Sequence, residues 1–70
     1  MIGLVQQIDP PERVRIGTFL AMEDELFTVV QIGYLDKKYV FYLQDTKTGT
    51  MQRRVSVAEN DFVVTYVPNL

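Results

Sequence analysis

The side chains this sequence offers for chemistry are nine carboxylates, seven basic groups, four tyrosines and a single serine, with no histidine and no cysteine. A nucleophile–base pair of the usual kind needs a thiol or hydroxyl beside an imidazole or comparable base, and half of that inventory is missing. The same gap removes the commonest metal ligand and the ordinary neutral-pH proton carrier. Glu23, Asp24 and Glu25 are adjacent, and in extended chain neighbouring side chains point to opposite faces, so the three do not converge on one ion. They also lack the alternating oxygen ligands of a calcium loop. A solvated hairpin tip is the plainer reading. Ser56 begins Ser56-Val57-Ala58-Glu59, the S/T-x-x-E pattern in which a hydroxyl caps a backbone N–H and the glutamate reaches back. It reads as a cap rather than a nucleophile. No catalytic residue, no metal ligand and no cofactor is therefore expected, and the chain reads as a non-enzyme.

The basic groups are Arg13, Arg15, Lys37, Lys38, Lys47, Arg53 and Arg54. Tyr34, Tyr39, Phe41 and Tyr42 lie near them in sequence, so a stacking surface rimmed by cations can be drawn, of the kind that holds single-stranded nucleic acid. The overall balance argues against a dedicated nucleic-acid binder. The formal charge is −2 and the isoelectric point about 4.8, far from the basic footprint of such proteins. Aromatic residues in a central strand are more often core, and scattered cations more often the wet face of a sheet.

The elements that would position these groups are strands. Arg13 to Ala21 places Val14, Ile16 and Leu20 on one parity and Arg13, Arg15 and Phe19 on the other, the period-2 signature of a strand with one buried face. The acidic tip follows, then Leu26 to Tyr34, rich in β-branched and aromatic residues, with Gly33 as a candidate bulge. Asp36-Lys37-Lys38 breaks the run. Tyr39 to Gln44 is almost continuously apolar, and Asp45-Thr46-Lys47-Thr48-Gly49 is the strongest turn signal in the chain. Thr50 to Val57 reads as the next strand, the capping-box segment as one helical turn, and Phe62 to Val67 as the last strand, ended by Pro68. Asp9-Pro10-Pro11-Glu12 is the one linker-like stretch, held extended because residues before proline avoid the helical region. Helical periodicity never persists beyond a turn or two. The expected organisation is a single domain over 1–70, with an N-terminal arm at 1–12 and the folded body at 13–67.

This order of elements resembles the SH3-like small barrels. The residues that carry the resemblance are Val14-Arg15-Ile16-Gly17-Thr18, Phe27-Thr28-Val29-Val30, Tyr39-Val40-Phe41-Tyr42 and Ser56-Val57-Ala58-Glu59-Asn60-Asp61-Phe62. It implies an all-β fold: a small barrel of five to six short antiparallel strands with one helical turn before the last. Tudor, KOW and Sm-like barrels of that shape mostly bind protein or RNA. The peptide-binding site of SH3 domains is not carried over, because this chain has no Ala-Leu-Tyr-Asp-Tyr-like opening, no tryptophan and no Pro-Tyr near its end.

A chain of 70 residues buries only about 60% of its unfolded surface, yet 47% of these residues are hydrophobic. Tyr39 to Leu43 and Phe62 to Val67 put large apolar groups on both strand faces, and Ile2, Leu4, Val5 and Ile8 add more. Something must cover the surplus: the N-terminal arm, a second copy or another protein. The expectation is a protein-binding or adaptor module that tends to self-associate, with Phe19, Tyr34, Tyr39 and Tyr42 as surface aromatics and Arg15 and Arg53 as their polar partners, the residue types that dominate interfaces. An RNA- or single-stranded-DNA-binding barrel is the alternative. A structural subunit of a larger assembly, of the sort phages and mobile elements encode, is a third. No apolar run approaches the roughly 18 residues a membrane helix needs, and no signal peptide is visible, so a soluble cytoplasmic protein without a membrane partner is expected.

Overall fold

In a computed structural model, which describes residues 3–69 and all their side chains except those of Met51, Gln52 and Asn69, the chain is all-β. Its strands are β1 (Gly3–Asp9), β2 (Phe19–Met22), β3 (Glu25–Leu35), β4 (Lys38–Asp45), β5 (Met51–Ala58) and β6 (Val63–Asn69). They form one antiparallel six-stranded sheet in the order β1-β6-β2-β3-β4-β5. Among the described residues no pairing joins β1 to β5, so both strands are open edges of the sheet.

Alternation decides which face is inner. Phe27, Val29, Phe41 and Leu43 are essentially fully buried, and Val14 and Leu20 complete the cluster at 3% exposure. Met22, Ile32, Tyr39, Val55, Val57 and Val63 pack around it. The register sets Leu20 opposite Phe27, Val29 opposite Leu43, Ile32 opposite Phe41, and Phe41 opposite Val55. Directly opposed side chains share a face, so these pairs line one continuous apolar layer.

The sequence pattern and the structure part in four places. The expected strand Arg13–Ala21 survives only as Phe19–Met22. Proline at the first helical position presets φ, and Pro11–Arg13 forms a 3-10 turn in which the Arg13 and Val14 N–H groups donate to the Pro10 and Pro11 carbonyls at 3.0 and 3.1 Å. Gly17, at φ 97°, then bends the chain toward β3, its N–H donating to the Val29 carbonyl at 2.8 Å. Ile16 is left 67% exposed, so Arg13 and Arg15 never share a strand face.

The bulge in β3 falls between Val29 and Gln31, while Gly33 stays in register opposite Val40. The reason is legible afterwards. Phe27 and Val29 are odd-numbered core residues whereas Ile32 and Tyr34 are even, and one extra residue is what returns them to the inner face. No helical turn precedes the last strand. Val55 and Val57 keep the alternation going, β5 runs on to Ala58 with Ser56 opposite Val40, and a hydrogen-bonded turn follows, the Asp61 N–H donating to the Ala58 carbonyl at 3.0 Å. The fourth departure is at the C-terminal end. Pro68 does not stop β6, which continues to Asn69 against β1, with Pro68 opposite Leu4. Because β2 reaches β6 only at Thr65 and Tyr66, the far side of β6 is open there and a missing N–H is tolerated.

Residues 3–9, within the expected arm, are strand β1, and every one of them pairs with β6. The turns are tight. Glu23 and Asp24 have φ 51° and 66°, Asp36 and Lys37 φ 58° and 63°, the paired positive values of type I′ hairpins, here without glycine. The Asp45–Gly49 turn forms as its residues suggest: the Asp45 carboxylate accepts from the Lys47 and Thr48 N–H groups at 2.8 and 3.1 Å, and Gly49 takes φ 73°.

Candidate binding surface

The six residues named from sequence do not form one surface. Tyr34 and Tyr39 face each other at the end of the inner layer, edge to face at 4.7 Å between ring centroids. Tyr39 in turn stacks toward Phe41 at 6.4 Å. Tyr42 belongs to the opposite, outer face, half-buried between Gln31 and Arg54. The run Tyr39-Val40-Phe41-Tyr42 is thus split by the pleat, and its largest ring, Phe41, is wholly buried.

Phe19 is also on the outer face, half-buried opposite Tyr66 and Thr28. Arg15 sits in the loop before β2, its guanidinium donating to the Glu12 carbonyl at 2.9 Å. Arg53 crosses to the β2–β3 hairpin, where it donates to Glu23 Oε2 at 2.6 Å with its guanidinium carbon 5.9 Å from the Phe27 ring centroid. That carboxylate raises the Arg53 pKa above its ordinary value. Tyr34 likewise donates to Glu59 Oε2, at 2.6 Å. The bond and the glutamate charge push its phenol upward, since both favour the neutral form.

A hollow of about 300 Å³ lies between the β2–β3 hairpin and the β4–β5 loop, lined by Asp24, Glu25, Leu26, Asp45, Thr46 and Lys47. Its carboxylates do not converge. Asp45 already serves its own turn, and among the described residues no cluster of three metal-ligating groups occurs. Every buried side-chain polar atom among them has a hydrogen-bond partner.

What remains conspicuous is aliphatic. Six of the seven residues of β1 are exposed. On the outer face Leu4 (45%), Ile8 (67%) and Val64 (40%) stand in solvent, and Val5 (41%) does so on the inner face. Pairing sets Leu4 opposite Pro68, Gln6 opposite Tyr66 and Ile8 opposite Val64, and Tyr66 opposite Phe19. The result is an outer-face strip, Leu4-Pro68, Tyr66-Phe19 and Ile8-Val64, running to the open edge of the sheet.

No family model, no curated protein and no solved structure matches this chain. The surface therefore has to be read from its own chemistry.

Of the expected residues only Phe19 belongs to this strip. Leu4, Ile8 and Val64 belong to the apolar surplus the sequence shows but not to its named surface residues, although a signal for them exists: Gly3 to Ile8 contains no charge and no proline, which is unusual for an edge strand. Among the described residues no helix is long and apolar enough to cross a membrane.

Proposed function

We propose that this chain is a non-catalytic association module that takes up extended polypeptide along β1 and β6. The observation that carries the reading is the exposure of apolar side chains on both faces of an edge strand whose outer side is unpaired among the described residues. Strand addition supplies main-chain hydrogen bonds, and alternate side chains supply selectivity. Leu4, Ile8, Val64 and Phe19 then form the apolar floor, and the unpaired N–H and C=O groups of β1 form the wall. Sheet edges are normally guarded by lysine, proline or a bulge. The other edge, β5, carries Arg53 and Arg54, whereas β1 carries no cation.

The test uses a fluorescent ten-residue peptide of alternating valine and threonine, followed by anisotropy at low and high salt, beside a labelled oligothymidylate. Wild type is expected to bind the peptide saturably and with little salt dependence. Leu4→Lys/Ile8→Lys should bind about tenfold more weakly or worse, a loss of roughly 1.4 kcal/mol, with an unchanged circular dichroism spectrum. Peptide binding that survives the double substitution defeats the assignment. So does a chain that ignores the peptide but binds oligothymidylate with an affinity falling steeply with salt, because that slope marks phosphate contacts.

A further inference from the structure

Resting on the reading of β1 as a docking edge, we infer that its occupant is β1 of a second copy, paired antiparallel about a two-fold axis through Gln6. Closed two-fold pairing is the commonest way a chain meets itself, and it sets each residue against a fixed counterpart. With Gln6 on the axis, Gly3 lies opposite Asp9 of the second copy, Leu4 opposite its Ile8, and Val5 opposite its Gln7. This register pairs the whole of Gly3–Asp9.

Neighbouring registers are worse for physical reasons. A slip by one residue reverses the faces, setting the outer-face Ile8 of one copy against the inner-face Val5 of the other in one direction, or Leu4 against the inner-face Gln7 in the other direction. An axis through Val5 sets Leu4 against Gln6 and Gly3 against Gln7, and carries Ile8 past the Gly3 end of the described strand. An axis through Gln7 sets Ile8 against Gln6 and Val5 against Asp9. Only the Gln6 axis matches Leu4 with Ile8 twice, joining the two outer-face strips into one.

Charge points the same way. Asp9 is the one charged residue of β1. In this register its carboxylate faces a glycine, and the two Asp9 residues lie at opposite ends of the pair, roughly 20 Å apart at the usual strand rise. That exceeds the screening length of about 8 Å at physiological salt. A strongly charged partner strand finds no counter-charge at Gly3 to Ile8, whereas a second β1 brings the same uncharged, apolar-alternating edge.

Because the chain has no cysteine, single introduced thiols report the register directly. Disulfides need Cα atoms about 4.4–6.8 Å apart, which residues directly opposed in an antiparallel pair satisfy and diagonal ones mostly do not. In the full chain, Gln6→Cys is expected to form a disulfide-linked dimer on mild oxidation. Leu4→Cys and Ile8→Cys should do so only when mixed. Light scattering should show wild type passing from monomer to dimer with concentration at low and high salt, and Ile8→Lys remaining monomeric.

Cross-linking of Val5→Cys or Gln7→Cys with itself, in place of Gln6→Cys, overturns the inference, as does an oligomer that Ile8→Lys leaves intact. A wild type that is monomeric at every concentration yet binds the valine–threonine peptide defeats the second copy as occupant and leaves the docking edge standing. A monomer that binds no peptide defeats both.

Discussion

The β3–β4–β5 meander and the β1–β6 ribbon are built from similar residues and meet solvent very differently. In the meander each strand turns one face inward, and Phe27, Val29, Phe41 and Leu43 lose nearly all exposure. In the ribbon, β1 is exposed at six of seven positions, and Val5 and Ile8 look out from opposite faces. Backbone pairing runs along both, with register shifts in the meander between Val29 and Gln31 and between Leu43 and Gln44. Burial, rather than hydrogen bonding, separates them. Stability should therefore reside in the meander, while the apolar surface of the ribbon is left for association. What ties the ribbon to the core is short: β6 pairs with β2 at Thr65 and Tyr66 and Val63 packs against the core cluster, while Thr65, buried to 1% exposure, holds β1 to β6 by donating its hydroxyl to Asp9 Oδ2 at 3.1 Å.

The contrast can be broken most severely at Phe41. Phe41→Ala should cost about 3–5 kcal/mol, comparable to the whole of what a core this small supplies. Urea titration followed by circular dichroism should find the variant largely unfolded in buffer. A sharp transition near the wild-type midpoint would mean that stability does not sit in the meander. Thr65→Val keeps the shape and removes the donor, at an expected cost of about 1 kcal/mol. Amide exchange should then quicken in β1 more than in β4, and an equal change in both strands would make ribbon and meander one cooperative unit.

Ile8→Lys should leave the urea midpoint almost unmoved, within about 0.5 kcal/mol as for exposed sites generally, while weakening association. A large stability loss there would show that Ile8 belongs to the core of the monomer.

The smallest effect is alkaline. The Tyr34 phenol is raised above 10.0, first by its bond to the Glu59 carboxylate. A pKa raised on folding stabilises the folded state below pH 10 and loses that contribution as pH rises through the folded value. Absorbance titration of the four tyrosines should show one late component in wild type that is absent in Glu59→Gln. An unchanged titration would remove this link between β3 and the turn after β5.

Several features were readable along the chain. The β-branched run Leu26 to Tyr34, the apolar run at Tyr39 and the Asp45–Gly49 turn each announce themselves by residue type, because strand preference and turn chemistry are local. The surplus of apolar groups on both parities of the last strand was visible too, though not where it would surface. The aromatic residues named as a surface were harder to place, because which parity faces inward depends on partners distant in sequence. Tyr39 and Tyr42 differ by three positions and lie on opposite faces. The capping-box pattern at Ser56 fits a helix start equally well in isolation, and lost to the β4 ladder once Val55 and Val57 had a core to enter.

By itself, the sequence determined the class of structure and the absence of histidine and cysteine chemistry, since composition, period-2 alternation and turn residues act over a few neighbours. Tertiary structure alone decided that Gly3–Asp9 closes on β6, that a bulge at Val30 restores Ile32 to the core, and that β1 and β5 remain as edges. Those outcomes depend on pairing across up to 66 residues of separation, as between Gly3 and Asn69, and pairing between such distant strands is specified by the buried face they build together rather than by either strand's own residues.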